Sequence, residues 1–268
     1  MSRSIEWAGP LALAQFVALA CSVPIPPPAQ PDPRTYRAVS VSRAPLLDGR
    51  LDDEVWAGVP WSEEFVDIRG AAYPAPTFRT RVKMVWSHSA LHIGAELEEP
   101  HVWATLTARD SVIFEDPDFE VFIDPDFDGL RYYELEINAL GTEWDLLLPR
   151  RYTDGGEADH DWTMEGLRSA VHIDGTLNDA ADVDRGWSVE IELPWTAVEQ
   201  TKPVAGSSWR INFSRVEWSV HVEDGRYVKD PAPDDEPHPE SNWVWSPQGL
   251  IDMHQPETWG TVVFADAP

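Results

Sequence analysis

Gly186 to Trp195 read GWSVEIELPW, and the alternation within this run decides the fold class. Trp187, Val189, Ile191 and Leu193 are apolar, and the residues between them, Ser188, Glu190 and Glu192, are polar. Successive side chains of a β-strand point to opposite faces, so this run is a strand with one buried and one wet face. A helix would place its apolar residues three and four apart. The same alternation recurs at Arg81 to Trp86, Leu91 to Leu97, Phe119 to Asp124, Tyr132 to Asn138, Trp144 to Leu148, Trp209 to Trp218 and Gly260 to Phe264, with Pro, Gly and Asp between the runs. No long amphipathic helical pattern and no internal repeat competes with it. The predicted fold is all-β: an antiparallel β-sandwich, jelly-roll or Greek-key-like, with a few short helical turns. Those turns fall at Leu51 to Ala57, where Asp52 and Asp53 are capping candidates, and at Trp195 to Val198.

Two strands carry more than a core stripe. In Tyr132 to Asn138, Tyr133, Leu135 and Ile137 take the core side and leave Tyr132, Glu134, Glu136 and Asn138 as a polar row, either a solvated face or the floor of a polar site. In Trp209 to Trp218 the phase breaks after Phe213. Either a bulge lies near Ser214, or Arg215 and Glu217 turn toward the side that was core.

Composition narrows the partners. Twenty Lys and Arg against 47 Asp and Glu give a formal charge of −27, which repels phosphate backbones, so nucleic acid is not an expected partner. Fourteen Trp supply core volume and flat faces on which sugar rings can stack. The single cysteine, Cys21, permits no internal disulfide and no Cys-based metal cage. Ala8 to Ala20 is a mostly apolar stretch behind Arg3, shorter than a membrane span and ended by small residues, and reads as a signal peptide over residues 1–20. "ALAC" at Ala18 to Cys21 resembles a bacterial lipobox, which makes Cys21 a lipidation candidate and the expected location exported, periplasmic or extracellular, with membrane contact only through the lipid. Residues 21–35 are a Pro-rich linker, 36–264 the folded domain and 265–268 a short tail. Tyr152 to Glu165 and the acidic, Pro-rich Asp230 to Ser241 read as long loops.

Several segments in order match a family pattern: LLDGRLDDEVW (Leu46 to Trp56), ALHIGAELEEP (Ala90 to Pro100), DFEVFIDPD (Asp118 to Asp126), YYELEINALGTEWDLLL (Tyr132 to Leu148), GWSVEIELPW, WRINFSRVEW (Trp209 to Trp218) and NWVWSPQGLIDMHQPETWG (Asn242 to Gly260). Together they resemble carbohydrate-binding module family 9, in its family 9-like branch, over nearly all of Ala38 to Phe264. The resemblance implies a DOMON-type β-sandwich that binds mono-, oligo- or polysaccharide without catalysis, in a system that degrades polysaccharides or glycosides. It also implies a terminal sugar clamped between two Trp, whose places fall here at Phe114 and Met253. Glu120 matches a family carboxylate that bonds sugar hydroxyls, and Glu136 stands where the family has Arg. Phe114, Glu120, Glu136, Asn138, Arg215, Trp243, Trp245 and His254 are the expected carbohydrate-binding residues of a remodelled site.

Three other chemistries follow from the residues. Glu120 and Glu136, on neighbouring strands, form the kind of carboxylate pair a glycoside hydrolase uses. DPDFDG at Asp124 to Gly129 spaces Asp124, Asp126 and Asp128 as in a Ca²⁺ loop, although Leu135 stands where the bidentate Glu of that loop belongs. DOMON-type relatives include haem domains with His and Met ligands, whereas Met253 and His254 are adjacent and in a strand would point to opposite faces. GxSxG, HExxH and GxGxxG elements do not occur.

Overall fold

A computed structural model describes residues 32–232 and 238–267. The predicted signal peptide, Cys21, most of the Pro-rich linker and part of the loop from Asp230 to Ser241 lie outside the described residues. Among the described residues fourteen strands are formed: β1 (Thr35–Ser40), β2 (Val66–Asp67), β3 (Thr80–Trp86), β4 (Ala90–Glu98), β5 (Asp118–Asp124), β6 (Tyr132–Asn138), β7 (Glu143–Leu148), β8 (Arg168–Asp174), β9 (Gly186–Pro194), β10 (Ser208–Glu217), β11 (Val220–Glu223), β12 (Arg226–Lys229), β13 (Ser241–Val244) and β14 (Gly260–Ala265). Ten of them lie side by side in the order β7-β6-β5-β10-β14-β1-β3-β4-β9-β8, while β13 pairs with β10 and β2, and β11 pairs with β12.

This long sheet curls into a sandwich-like fold. The half from β7 to β14 packs on the half from β1 to β8, and one apolar core joins Phe119, Val121 and Leu135 of the first to Ile93, Val189 and Ile191 of the second. The expected antiparallel pairing holds except at β1, which runs parallel to both β14 and β3 and forms the seam between the halves. The core side chains of β9 are the apolar set of its alternation, as the period of two requires. Trp86, Trp195, Trp209 and Phe264 fill one end, with Trp195 edge-on to Trp209 at 5.6 Å and Trp209 edge-on to Phe264 at 5.1 Å.

The segment LLDGRLDDEVW closes the second half. Asp53, rather than Asp52, caps the one-turn helix Glu54–Ala57 by accepting from the Val55 and Trp56 amides at 2.9 and 3.1 Å. The turn delivers the buried Trp56 ring, whose Nε1 donates to Glu190 Oε1 at 2.7 Å. The other oxygen of Glu190 accepts from the Asp48 and Gly49 amides at 2.9 and 2.8 Å. Gly49 has φ +82°, and a Cβ there would lie 2.5 Å from the His172 nitrogen, so the chain passes β8 too closely for any side chain.

The first half differs from an ordinary sandwich sheet because both its faces are covered. On the outer face of β5, β6 and β7, the side chains of Phe122, Tyr132, Leu146 and Leu148 join Val244, Met253 and Trp259 in a second apolar cluster. The segment from Ile251 to Trp259 folds over this face, so the polar row of β6 is entirely buried.

Candidate functional site

Cross-strand register assembles the site on that covered outer face. Glu120 of β5 pairs with Glu136 of β6 on one side and with Ser214 of β10 on the other. Glu136 in turn pairs with Trp144 of β7, giving a line of side chains from Ser214 through Glu120 and Glu136 to Trp144. Glu134 and Asp118 flank this line on the same face, since residues two apart on a strand share a side. A cavity of about 260 Å³ lies above it, lined by Phe114, Glu120, Glu134, Glu136, Trp144 and His254 among others.

Its rim is aromatic. Phe114 is 38% exposed, and its ring centroid lies 6.3 Å from that of Trp144 with the planes 33° apart. Behind Trp144, His160 stacks at 5.7 Å and 14°. The Phe114 backbone is pinned at both ends, its amide donating to Glu136 Oε2 at 2.9 Å and its carbonyl accepting from Trp218 Nε1 at 2.9 Å. On the far side Tyr152 meets His254 edge-on at 4.5 Å, and His254 Nδ1 lies 3.1 Å from the Tyr132 hydroxyl. Burial pushes the His254 imidazole down to about 4, so it is neutral at pH 7.

The floor is a field of carboxyl groups. Burial, followed by the charge of neighbouring carboxylates, holds Asp118, Glu134 and Glu136 well above the ordinary carboxylate range, and burial pushes Glu120 up to about 7. Among the described residues, Asp118 Oδ2, Glu134 Oε2 and Trp144 Nε1 on this face are buried without a hydrogen-bond partner, while Ser214 meets Glu120 across the strand pair. Buried polar groups are nearly always satisfied, so such a concentration marks a surface built to meet hydrogen-bonding groups from outside. The cavity therefore offers flat apolar rings beside unmet donors and acceptors, a combination suited to a small polyhydroxylated ligand.

A larger groove of about 920 Å³ lies where the end of β4 meets β8 and the start of β9, with Arg50, Trp61 and Phe78 beside it. Several of its charges pair with one another, Arg79 with Glu96 at 3.0 Å and Arg185 with Asp174 at 3.3 Å. Size alone favours this groove, but Glu134 and Trp144, which carry buried polar atoms without a partner, line the smaller cavity.

Of the expected binding residues, Phe114, Glu120, Glu136 and His254 converge on the cavity, as does Met253. Four others do not reach it. β10 continues without a bulge through Ser214, and Arg215 turns inward, 1% exposed, where its Nη2 lies 2.6 Å from both Glu99 Oε2 and Glu217 Oε2. Trp243 and Trp245 share one face of the chain as their spacing requires, but that face is the main core: Trp243 lies beneath the Arg215 guanidinium and Trp245 packs on Phe213. Asn138 is fully buried and spends its amide internally, donating to Leu106 O and Asp116 Oδ2 and accepting from the Leu140 and Thr142 amides. Trp144 lines the cavity together with Glu134 and Tyr152, and none of the three was among the expected binding residues. The signal for Trp144 was present, since it alternates with Leu146 and Leu148 and the tight turn after Asn138 sets it opposite Glu136.

The DPDFDG turn brings carboxylate oxygens of Asp124, Asp126 and Asp128 within 4.8 Å of one another. Asp124 is already engaged, accepting from the Phe127 and Gly129 amides and pairing with Arg210 at 3.2 Å. Met253 and His254 both line the cavity, because they lie in a loop and not in the strand whose alternation would have separated them. A cavity of about 260 Å³ is too small for a haem.

Comparisons with known proteins agree with this architecture. A carbohydrate-binding module family 9 protein from Caldicellulosiruptor kristjanssonii, solved in complex with cellotriose, is 17% identical, with a TM-score of 0.56 over 87% of this chain and 95% of that one. Its glucose complex is 16% identical, with a TM-score of 0.56 over 88% and 97%. A proposed carbohydrate-binding protein from Bacteroides uniformis, 16% identical, reaches a TM-score of 0.61 over 87% of this chain and all of that one, 100%. Among curated protein sequences, none matches. The model of the family described as carbohydrate family 9 binding domain-like matches residues 47–266, and the chain belongs to that family.

Proposed function

We propose that this protein is a non-catalytic carbohydrate-binding domain whose sugar sits in the cavity between Phe114, Trp144 and His254, above Glu120 and Glu136. One observation carries the reading: the buried polar atoms of Glu134 and Trp144 that lack a partner lie beneath an aromatic rim, in a cavity where Phe114, Glu120, Glu136 and Met253 also meet. The rings supply an apolar face for the sugar ring, and the carboxyl groups accept from its hydroxyls. The solved relatives that carry glucose and cellotriose make β-glucosides the first probes. With few polar contacts to offset lost motion, affinities on the order of 1 μM to 1 mM are expected.

The test is a glycan array followed by calorimetry on the strongest hit. Binding that is lost in Glu120→Ala, with the fold retained, supports the reading. Absence of binding to every glycan by folded protein rejects it, and release of reducing sugar would assign Glu120 and Glu136 to hydrolysis instead.

Export and service in a polysaccharide- or glycoside-degrading system belong to the same proposal, on the strength of Ala8 to Cys21 and the Pro-rich segment that follows. Metabolic labelling with a radioactive fatty acid tests the anchor. Label that disappears in Cys21→Ser supports lipidation there, and equal label in both proteins removes Cys21 as the anchor.

A further inference from the structure

Asp118, Glu120 and Glu136 are nearly or fully buried, at 0, 5 and 2% exposure, and each has a carboxylate oxygen within 4.8 Å of the others. Glu134, at 4%, adds a fourth carboxyl to the same face. The hydrogen bonds this chain gives them are few. Asp118 Oδ1 accepts from the Val216 amide at 3.2 Å, and Glu136 Oε2 accepts from the Phe114 amide at 2.9 Å. Asp118 Oδ2 and Glu134 Oε2 have no hydrogen-bond partner. Other buried acidic groups of this protein are compensated by the chain itself: Asp145 by Arg109, Asp124 by Arg210, and Glu99 by Arg215. Asp116 and Glu190 are saturated by amide, hydroxyl and indole donors. The β5–β6 cluster has a hydrogen bond from Ser214 to Glu120 and one between Glu134 and Glu136, but among the described residues no Arg or Lys pairs with it, and grouping buried carboxyls without a cation is costly.

We propose that Asp118, Glu120 and Glu136 form a binding site for one Ca²⁺ beneath the floor of the cavity, separate from the acidic turn at Asp124 to Gly129. The donor set is oxygen only, which suits a hard cation and disfavours Zn²⁺ or Cu²⁺. Three carboxylates, mono- or bidentate, supply from three to six oxygens, and the fully buried Asp118 has one oxygen, Oδ2, without a hydrogen-bond partner. Glu120 and Glu136 also line the cavity, so water can complete the flexible shell that Ca²⁺ accepts more readily than Mg²⁺. Glu120 and Glu136 are shared with the proposed sugar site, so the titration is run without sugar and reads Ca²⁺ binding whether or not a glycan binds.

The experiment is calorimetric titration of CaCl₂ into the full chain after EDTA treatment and dialysis, paired with thermal melts with and without Ca²⁺. The variants are Asp118→Asn, Glu136→Gln and, as a control on the other acidic group, the double change Asp126→Asn with Asp128→Asn. The first two are close in shape to the native residues and remove a buried negative charge, so the metal-free fold is expected to persist, as circular dichroism will show. The expected result is a Ca²⁺ heat and a raised Tm in the wild type and in the turn double variant, both lost in Asp118→Asn and in Glu136→Gln. Ca²⁺ binding that survives Asp118→Asn and Glu136→Gln, binding lost only in the turn double variant, or no Ca²⁺ binding by the wild type would each overturn the proposal.

Discussion

Glu120 and Ser214 stand directly opposite each other on β5 and β10, and that single pairing fixes Arg215 on the other side of the sheet, away from the cavity. There its guanidinium serves two carboxylates, lies 2.8 Å from the Glu98 carbonyl and packs 5.1 Å from the centre of the Trp243 ring. Arg215→Met leaves Glu99 and Glu217 buried together without their cation, and a loss of about 3–5 kcal/mol is expected. The folded fraction should bind glycan as the wild type does. Chemical denaturation measures the first effect and calorimetry the second. An unchanged stability with lost binding would return Arg215 to the sugar site.

Glu190 is the hub that ties the first motif to β9. It is 1% exposed and accepts from the Trp56 indole and from the amides of Asp48 and Gly49. Glu190→Ala strands these donors, each at about 1–3 kcal/mol where buried, so a destabilisation on the order of 3 kcal/mol or more is expected. Urea unfolding followed by tryptophan fluorescence reads it. A loss below about 1 kcal/mol would show that water replaces the carboxylate and that the segment is held by packing alone.

The strands legible in the sequence were those that keep an alternation of apolar and polar side chains, even where, as in β5 and β6, both faces are covered. β9 kept its apolar set at 187, 189, 191 and 193, and β6 and β5 matched their expected spans to within a residue. β8 escaped notice because it is a half-exposed edge strand whose Ser169, Val171 and His172 give no clean period, and β13 because it is four residues long. For the site, spacing told which residues share a face but not which face is covered. Trp243 and Trp245 were thus rightly placed together and expected on the wrong side. The register that brings Trp144 to Glu136 is a tertiary fact, and the side on which Arg215 emerges depends on it in the same way.

His254 gives the pocket a defined pH response. Its imidazole, enclosed by Phe122, Tyr132 and Tyr152, is pushed down from 6.5 to about 4 by burial. The unfolded chain therefore binds the proton first. The contribution of this group to stability is fully present above pH 6.5 and is lost as the pH falls toward 4, by up to about 1.4 kcal/mol per pH unit inside that window. Other acidic groups titrate over the same range, so the readout is the difference in unfolding free energy between wild type and His254→Gln, followed by urea denaturation from pH 7 to 4.5. That difference should shift steadily against the wild type as the pH falls. A constant difference would mean that His254 titrates normally and is open to water.

Phe114 is the rim residue whose side chain can be changed with least damage to the fold. It is 38% exposed, and its backbone is held by the Glu136 carboxylate and the Trp218 indole whatever side chain it carries. Phe114→Ala should therefore cost no more than about 1 kcal/mol of stability, in the range of surface and partly exposed substitutions. If the sugar ring lies against it, the same change removes a stacking face and weakens glycan binding by roughly tenfold, equivalent to about 1.4 kcal/mol. Phe114→Trp enlarges that face beside Trp144 and is expected to tighten binding a few-fold. Calorimetry with the strongest glycan of the array measures both. Equal affinities in the wild type, Phe114→Ala and Phe114→Trp would place the sugar away from this rim, because no ligand seated between Phe114 and Trp144 can be indifferent to losing or gaining one of its walls.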